Sequence, residues 1–386
     1  MLDLVHRPVV PRLDVSSAHR LLAVRLDNIG DVLMTAPALR AVRSAAPRAE
    51  VTLLCSPAGR QAASLLGEVD DAIEARVAWQ DVGGLAFDPG RERELVTSLE
   101  RRRFDAAFIF TSFSQSPFPP AFACYLAGIP VRVGQAGDFG GSLLSHVVPA
   151  APDGTHQVER NLRTVEAVGI PVADRRLAIR LDDAATARAA GLLEGAGVRR
   201  GGAFVAIAPG ATASARRYPA ARYAAVVRGL AAALGWPIVV VGADRDRGDA
   251  ARIAAAAPGA ASLAGETTIA EWAAIIAAAG LLVTSHSAPL HIADAVGTPV
   301  VCLFSGTDRE SEWRPRHTRA VLLREPTACS PCRLFDCPIG LPCLDVEPAA
   351  VVEAAASLVG GARTTGLAAV ATASDRLEDR WTVSVS

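Results

Sequence analysis

Leu21–Ala46 reads LLAVRLDNIGDVLMTAPALRAVRSAA. Its first six residues are apolar apart from Arg25, the composition of a strand covered on both faces. Asp27-Asn28-Ile29-Gly30-Asp31 then interrupts the run with a polar loop, and helical spacing continues to about Ala46. Strand, polar loop and helix in that order are the opening of a βαβ unit. The same alternation runs outward along the chain. Strands are expected at Val51–Leu54, Phe104–Phe110 and Val131–Gly134, and helices at Ala58–Leu66, Arg91–Arg103 and His156–Val168, with a loop over 77–90. Leu177–Leu181 reads as a strand before an alanine-rich helix and the stretch Arg199-Arg200-Gly201-Gly202, the candidate linker. The pattern then restarts. Strands are expected at Phe204–Ala208, Ile238–Val241, Leu281–Thr284 and Val300–Phe304. Helices are expected at Ala220–Leu234, Arg245–Ala257, Thr268–Ala279 and Ala288–Val296.

This predicts an α/β protein with two Rossmann-like parallel-sheet domains facing each other across a cleft. The expected divisions are an N-terminal extension (1–20), a first domain (21–198), a second domain (199–360) and a C-terminal tail (361–386) without a strong pattern. A chain of 386 residues, 51% hydrophobic and 20% charged, has the material for two cores. The formal charge of −1 lacks the basic excess of a nucleic-acid binder. All 39 basic residues are arginine, which excludes Schiff-base chemistry and the P-loop lysine. No apolar run reaches the length of a membrane span, and residues 1–20 lack a signal-peptide core. The expectation is a cytoplasmic protein.

In open parallel sheets, ligands gather beyond the carboxyl ends of strands, beside helix N-termini. Four loops stand there. In Asp27–Asp31, Gly30 permits close approach and Asp31 opens a helix; the G-x-G-x-x-G of a dinucleotide site is missing. Pro209–Pro219 (PGATASARRYP) combines Gly210, hydroxyls at Thr212 and Ser214, and the guanidinium groups of Arg216 and Arg217, which suit a diphosphate. Gly242–Asp246 offers Asp244 to ribose hydroxyls, or is simply an exposed turn. Thr284–His291 holds two histidines, His286 and His291, with Ser287 as a candidate N-cap and Pro289 in the first turn. Separately, Cys329, Cys332, Cys337 and Cys343 have spacing that satisfies a tetrahedral zinc site; disulfides, plain thiols and a redox or iron–sulfur role are the alternatives.

Arg25–Leu39 (RLDNIGDVLMTAPAL), Pro209–Pro219, Thr284–Pro299 (TSHSAPLHIADAVGTP) and the cysteine segment together resemble glycosyltransferase family 9, the ADP-heptose:lipopolysaccharide heptosyltransferase family. The resemblance runs from about Leu21 to Leu358. It implies a GT-B fold with an acceptor-side first domain and a donor-binding second domain. It also implies inverting, metal-independent transfer of a heptose-like sugar from a nucleotide diphosphate, without a catalytic cofactor, to a hydroxyl of a cell-envelope glycan or lipid-linked acceptor. Peripheral contact with the cytoplasmic membrane face would follow from such an acceptor. Asp31 matches the family's proposed general base. Arg216 matches a position commonly lysine that steadies the departing diphosphate, and Thr212 a hydroxyl near the same phosphates. Gly30, Gly210, Asp244, Ser287 and His291 are the remaining donor-side candidates. His286, Ser287 and Ala288 stand where the family usually has aspartate, a small hydroxyl residue and glycine. Tyr218 replaces a usual tryptophan. A nucleotide-sugar epimerase and a catalytically impaired nucleotide-sugar-binding protein are the competing readings on the same architecture.

Overall fold

The structure is a computed structural model and describes residues 10–113 and 115–360. The chain divides into two compact units, the first reaching Arg180 and the second starting at Leu181. The expected tail (361–386) and the first nine residues of the expected extension lie outside the described residues.

In the first unit, β1 (Arg20–Arg25), β2 (Glu50–Cys55), β3 (Asp71–Glu74), β4 (Ala106–Ile109), β5 (Val131–Ala136) and β6 (His146–Pro149) form one sheet. Their order is β3-β2-β1-β4-β5-β6, and every pairing is parallel. Leu21, Leu22, Ala23 and Val24 are all buried, which explains why β1 lacks alternation: helices cover both faces. Those helices are α1 (Ile29–Leu33), α2 (Ala36–Ala45), α3 (Pro57–Ala63), α4 (Pro89–Arg102), α5 (Phe118–Leu126) and α6 (Gln157–Glu166). Ser56 caps α3 by accepting from the Gly59 amide at 2.9 Å, and Pro57 occupies the first turn.

The second unit begins with α7 (Asp183–Gly195) and repeats the alternation. Its strands are β7 (Val205–Ala208), β8 (Ile238–Val240), β9 (Ala260–Ser262), β10 (Leu281–Ser285), β11 (Val300–Leu303) and β12 (Ala320–Leu323). Its further helices are α8 (Ala220–Leu234), α9 (Arg247–Ala254), α10 (Ile269–Ala278), α11 (Ala288–Val296), α12 (Glu310–Trp313) and α13 (Pro348–Gly360). The parallel order β12-β11-β10-β7-β8-β9 is that of the first sheet read from its opposite edge. Both are Rossmann sheets. Val205, Ile207, Val227, Leu230, Leu281 and Val351 belong to the core beneath α8 and α13. Thr268 and Glu271 close a reciprocal capping box on α10.

The structure departs from the sequence reading in several places. Leu177–Leu181 joins no ladder; it is an extended connector held by the Arg180 amide donating to Leu65 O at 2.8 Å. The division precedes α7 rather than falling at Arg199–Gly202. Helix α7 packs on α10, with Arg188 Nε 3.9 Å from Glu271 Oε1, and so joins the second unit. The helix expected up to Ala46 is broken between α1 and α2. There Pro37 supplies no N–H to carry the first helix onward, and Thr35 donates its hydroxyl back to Val32 O. Edge strands β3, β6, β9 and β12 went unread because they are short and only partly buried.

Gly59 shows how tightly α3 is seated. A Cβ there would meet Val32 Cγ2 at 2.9 Å, Cys55 Cβ at 3.1 Å and the Asp27 carbonyl at 3.2 Å. Gly59→Val should therefore destabilise the protein by more than about 1 kcal/mol through overpacking, read as a lowered melting temperature. An unchanged melting temperature would contradict this packing.

Candidate active site

Each sheet changes direction once, between β1 and β4 in the first unit and between β7 and β10 in the second. Loops leaving those strands diverge, and the crevice beyond their carboxyl ends is where such sheets bind ligands. In the first unit the crevice receives the loop after β1, carrying Asp27 and Asp31, and the loop after β4, carrying Ser112 and Gln115. Arg25, the last residue of β1, is fully buried. Its Nη2 donates to Asp31 Oδ1 at 3.0 Å and to Ser112 Oγ at 2.7 Å. Its Nε lies 2.9 Å from Asp27 Oδ2, an ion pair off the line of a hydrogen bond. Gln80 and Gln115 donate to the other Asp27 oxygen.

A guanidinium taken wholly out of water is tolerable only with opposite charge beside it, and here two carboxylates supply that. Asp31 is thereby pinned at the crevice while its side chain remains partly open to solvent. Gly30 is buried within α1. Sequence reasoning had placed Asp31 at a helix start; it assigned no role to Arg25, Asp27, Ser112 or Gln115. The available signal was an arginine ending an otherwise apolar strand.

In the second unit the switch-point loops are Pro209–Pro219 after β7 and His286–Ser287 after β10. They are tied together: Ser287 Oγ donates to Gly210 O at 2.9 Å and Ser285 Oγ to Pro209 O at 3.1 Å. Ser287 occupies the N-cap position of α11, but its hydroxyl serves this cross-loop bond rather than the helix. Ala288 follows it as the first helical residue. Gly210 is dictated by contact, because a Cβ there would lie 2.5 Å from Asp246 Oδ2. Asp246 is buried and accepts from the Ala243 amide at 3.0 Å. The carboxylate meeting the Pro209–Pro219 loop is therefore Asp246, whereas Asp244 is 85% exposed and paired with Arg247. Thr212 is exposed.

Arg216 is gripped on two sides. Its Nε donates to Thr307 Oγ1 at 3.1 Å and its Nη2 to Asp308 Oδ2 at 2.6 Å. Burial alone would raise the Asp308 carboxyl, but the neighbouring charges, Arg216 foremost, bring it below the usual carboxylate range. His286 and His291 are both buried. The His286 ring stacks on Phe304 with centroids 4.0 Å apart, and its Nδ1 lies 3.7 Å from Asp308 Oδ2. Burial first, and then the Arg216 charge, hold its pKa down to about 3. The ring is thus neutral at neutral pH, and its approach to Asp308 is not an ion pair. His291 lies in α11 with its ring centroid 6.1 Å from that of Trp313. Tyr218 is buried, donating its hydroxyl to Val346 O at 2.7 Å.

Residues 93–341 match the sequence profile of glycosyltransferase family 9 (heptosyltransferase). The chain belongs to that family. It is 26% identical over 350 residues to lipopolysaccharide heptosyltransferase 2 of Escherichia coli K12, covering 86% of this chain and 97% of that one. The family 9 glycosyltransferase of Veillonella parvula shares the fold with a TM-score of 0.73 at 16% identity, over 90% of this chain and 99% of that one. So does the E. coli heptosyltransferase WaaC with ADP, TM-score 0.64 at 18% identity, over 86% and 98%. The protein is a GT-B glycosyltransferase.

The cysteines of this glycosyltransferase do not build the expected zinc site. Among the described residues no three His, Cys, Asp or Glu side chains are arranged to hold a metal ion. All seven thiols are free. Three of the four clustered ones have engagements of their own: Cys343 is packed in the core, Cys337 Sγ accepts from the Leu341 amide at 3.3 Å, and Cys329 turns to Thr327.

Because the folded-state pKa of His286 lies far below its ordinary 6.5, the unfolded chain binds the proton first as pH falls. Stability held above pH ~6.5 should therefore be lost progressively on acidification toward pH ~3. His286→Gln should lose less melting temperature than the parent between roughly pH 7.5 and pH 5. Equal losses would show that this ring does not stay neutral on folding.

Proposed function

We propose that this glycosyltransferase moves a heptose-like sugar from a nucleoside diphosphate, ADP-heptose or a close analogue, to a hydroxyl of a cell-envelope glycan or lipid-linked acceptor. The observation that carries the reading is the pinned Asp31 carboxylate at the first switch point. A family 9 enzyme needs a base for the incoming alcohol, and Asp31 is the more open of the two carboxylates of that crevice, 16% exposed against 10% for Asp27. The similarity to heptosyltransferase 2, and the ADP named with WaaC, support the donor class.

The chemistry is a single displacement. Asp31 takes the acceptor hydroxyl proton as that oxygen attacks the anomeric carbon. The bond from that carbon to the diphosphate oxygen breaks, so the configuration inverts and negative charge grows on the leaving phosphate. Arg216 neutralises that charge with a fixed, planar cation, the task a metal ion performs elsewhere. Gly210, Thr212 and Ser287 line the loops that would meet the phosphates. His286 and His291 stiffen the wall behind them, with their rings directed toward Trp313 and Phe304. A lipid-linked acceptor would be met at a membrane surface; no helix among the described residues is long and apolar enough to cross one.

Incubation with ADP-sugars and an envelope acceptor in the presence of a chelator should release ADP only when acceptor is supplied, with inverted product. Asp31→Asn should cut turnover by about 10²–10⁴-fold with donor affinity little changed. Full activity in that variant would remove Asp31 from the mechanism. Arg216→Ala should weaken both donor binding and turnover, measured by ADP titration and ADP release; an effect on neither would leave it a surface charge.

A further inference from the structure

The cysteine segment contacts two loops of the second unit, the one after β7 and the one after β11. Its Phe335 carbonyl accepts from the Ala215 amide at 2.9 Å, and Ser214 Oγ donates to Asp336. At the loop following β11, the Cys332 amide donates to Gly306 O at 3.1 Å and the Arg333 amide to Thr307 O at 2.9 Å. Arg333 adopts a left-handed backbone, φ 59°, a conformation that side chains rarely take without surrounding constraint. That turn sends its guanidinium inward, where Nη1 donates to Asp308 Oδ1 at 2.8 Å and Nη2 to Glu312 Oε1 at 2.7 Å.

Asp308 is consequently held by three donors. One oxygen takes Arg333, and the other takes both Arg216 and the Thr307 hydroxyl, 2.7 Å away. Its side chain is only 5% exposed, while that of Arg216 is 33% exposed. The buried carboxylate faces the inner edge of a guanidinium whose remaining Nη1 has no protein partner among the described residues. Arginine has a flexible stem and loses rotamer freedom when it grips a ligand. Holding Nε and Nη2 beforehand places that cost in folding rather than in binding.

We propose that Asp308, braced by Arg333 of the cysteine segment, is a positioning residue that holds the Arg216 guanidinium in place for the diphosphate of the donor. This rests on the assignment of Arg216 to the diphosphate. Asp308 acts through Arg216 and does not itself meet the ligand, since a carboxylate against a phosphate would repel it. The segment that looked like a metal knuckle thus acts as a strap, and its useful side chain is an arginine.

A double-mutant cycle read by calorimetric titration tests this, with ADP as the probe and adenosine as the phosphate-free control. Asp308→Asn should weaken ADP binding about tenfold, leave adenosine binding unchanged, and add less than about twofold in an Arg216→Ala background. Thr307→Val, which removes the Nε contact together with the hydroxyl's own bonds to Asp308 and Ser305, should show the same dependence on Arg216 with a smaller effect. It substitutes for Asp308→Asn should that variant fail to fold. Equal effects in both backgrounds, or equal weakening of ADP and adenosine, would overturn the positioning role while leaving the donor assignment intact. If Arg216→Ala alone leaves ADP affinity unaltered, the donor assignment falls and takes the inference with it.

Discussion

Parallel pairing at the two switch points, β1 beside β4 and β7 beside β10, is the constraint from which the chemistry follows. Parallel neighbours cannot be joined by a tight turn, so each strand's carboxyl end must hand the chain to a loop and a helix. Where the strand order reverses, the two loops leave in opposite directions and their backbone groups stand open between them. In this protein one such opening presents Asp31 and the other presents Arg216. Neither side chain would be in place without the buried, largely apolar strands behind it.

The absence of lysine gives the electrostatics a particular form. Guanidinium groups are planar forks that bond best when their partners are coplanar and fixed. The chain meets that need with carboxylates set beside each of these arginines: Asp27 and Asp31 at Arg25, Asp308 at Arg216, Asp308 and Glu312 at Arg333. Each group compensates the desolvation of its neighbour. The same arrangement explains why a histidine is tolerated at position 286. With Arg216 near and water excluded, its imidazole stays neutral and serves as an aromatic surface stacked on Phe304.

Glycines in the second unit follow the same logic of close approach. Gly210 lies over the Asp246 carboxylate, and a Cβ at Gly242 would come within 3.0 Å of Asp246 Cβ. The turn after β8 thereby packs beneath the loop after β7. A buried acid holds the two together, with Arg217 Nη2 at 3.8 Å.

The sequence by itself determined the two α/β halves, the strands that stack at their centres and the loops that end them. Those features are written in local hydrophobic runs and polar interruptions, which act over a few residues. It also marked Asp31 and Arg216, because a carboxylate after Gly30 and a guanidinium amid small hydroxyl residues are recognisable in place. Only the tertiary structure decided the partners. Arg216 meets Asp308, 92 residues away, and Arg25 meets Ser112, 87 residues away. It also set Asp246 beneath the loop after β7 and brought Arg333 in to Asp308 and Glu312. Such pairings depend on how strands stack and where loops cross, and hydrophobic periodicity carries no record of contacts between residues so distant along the chain.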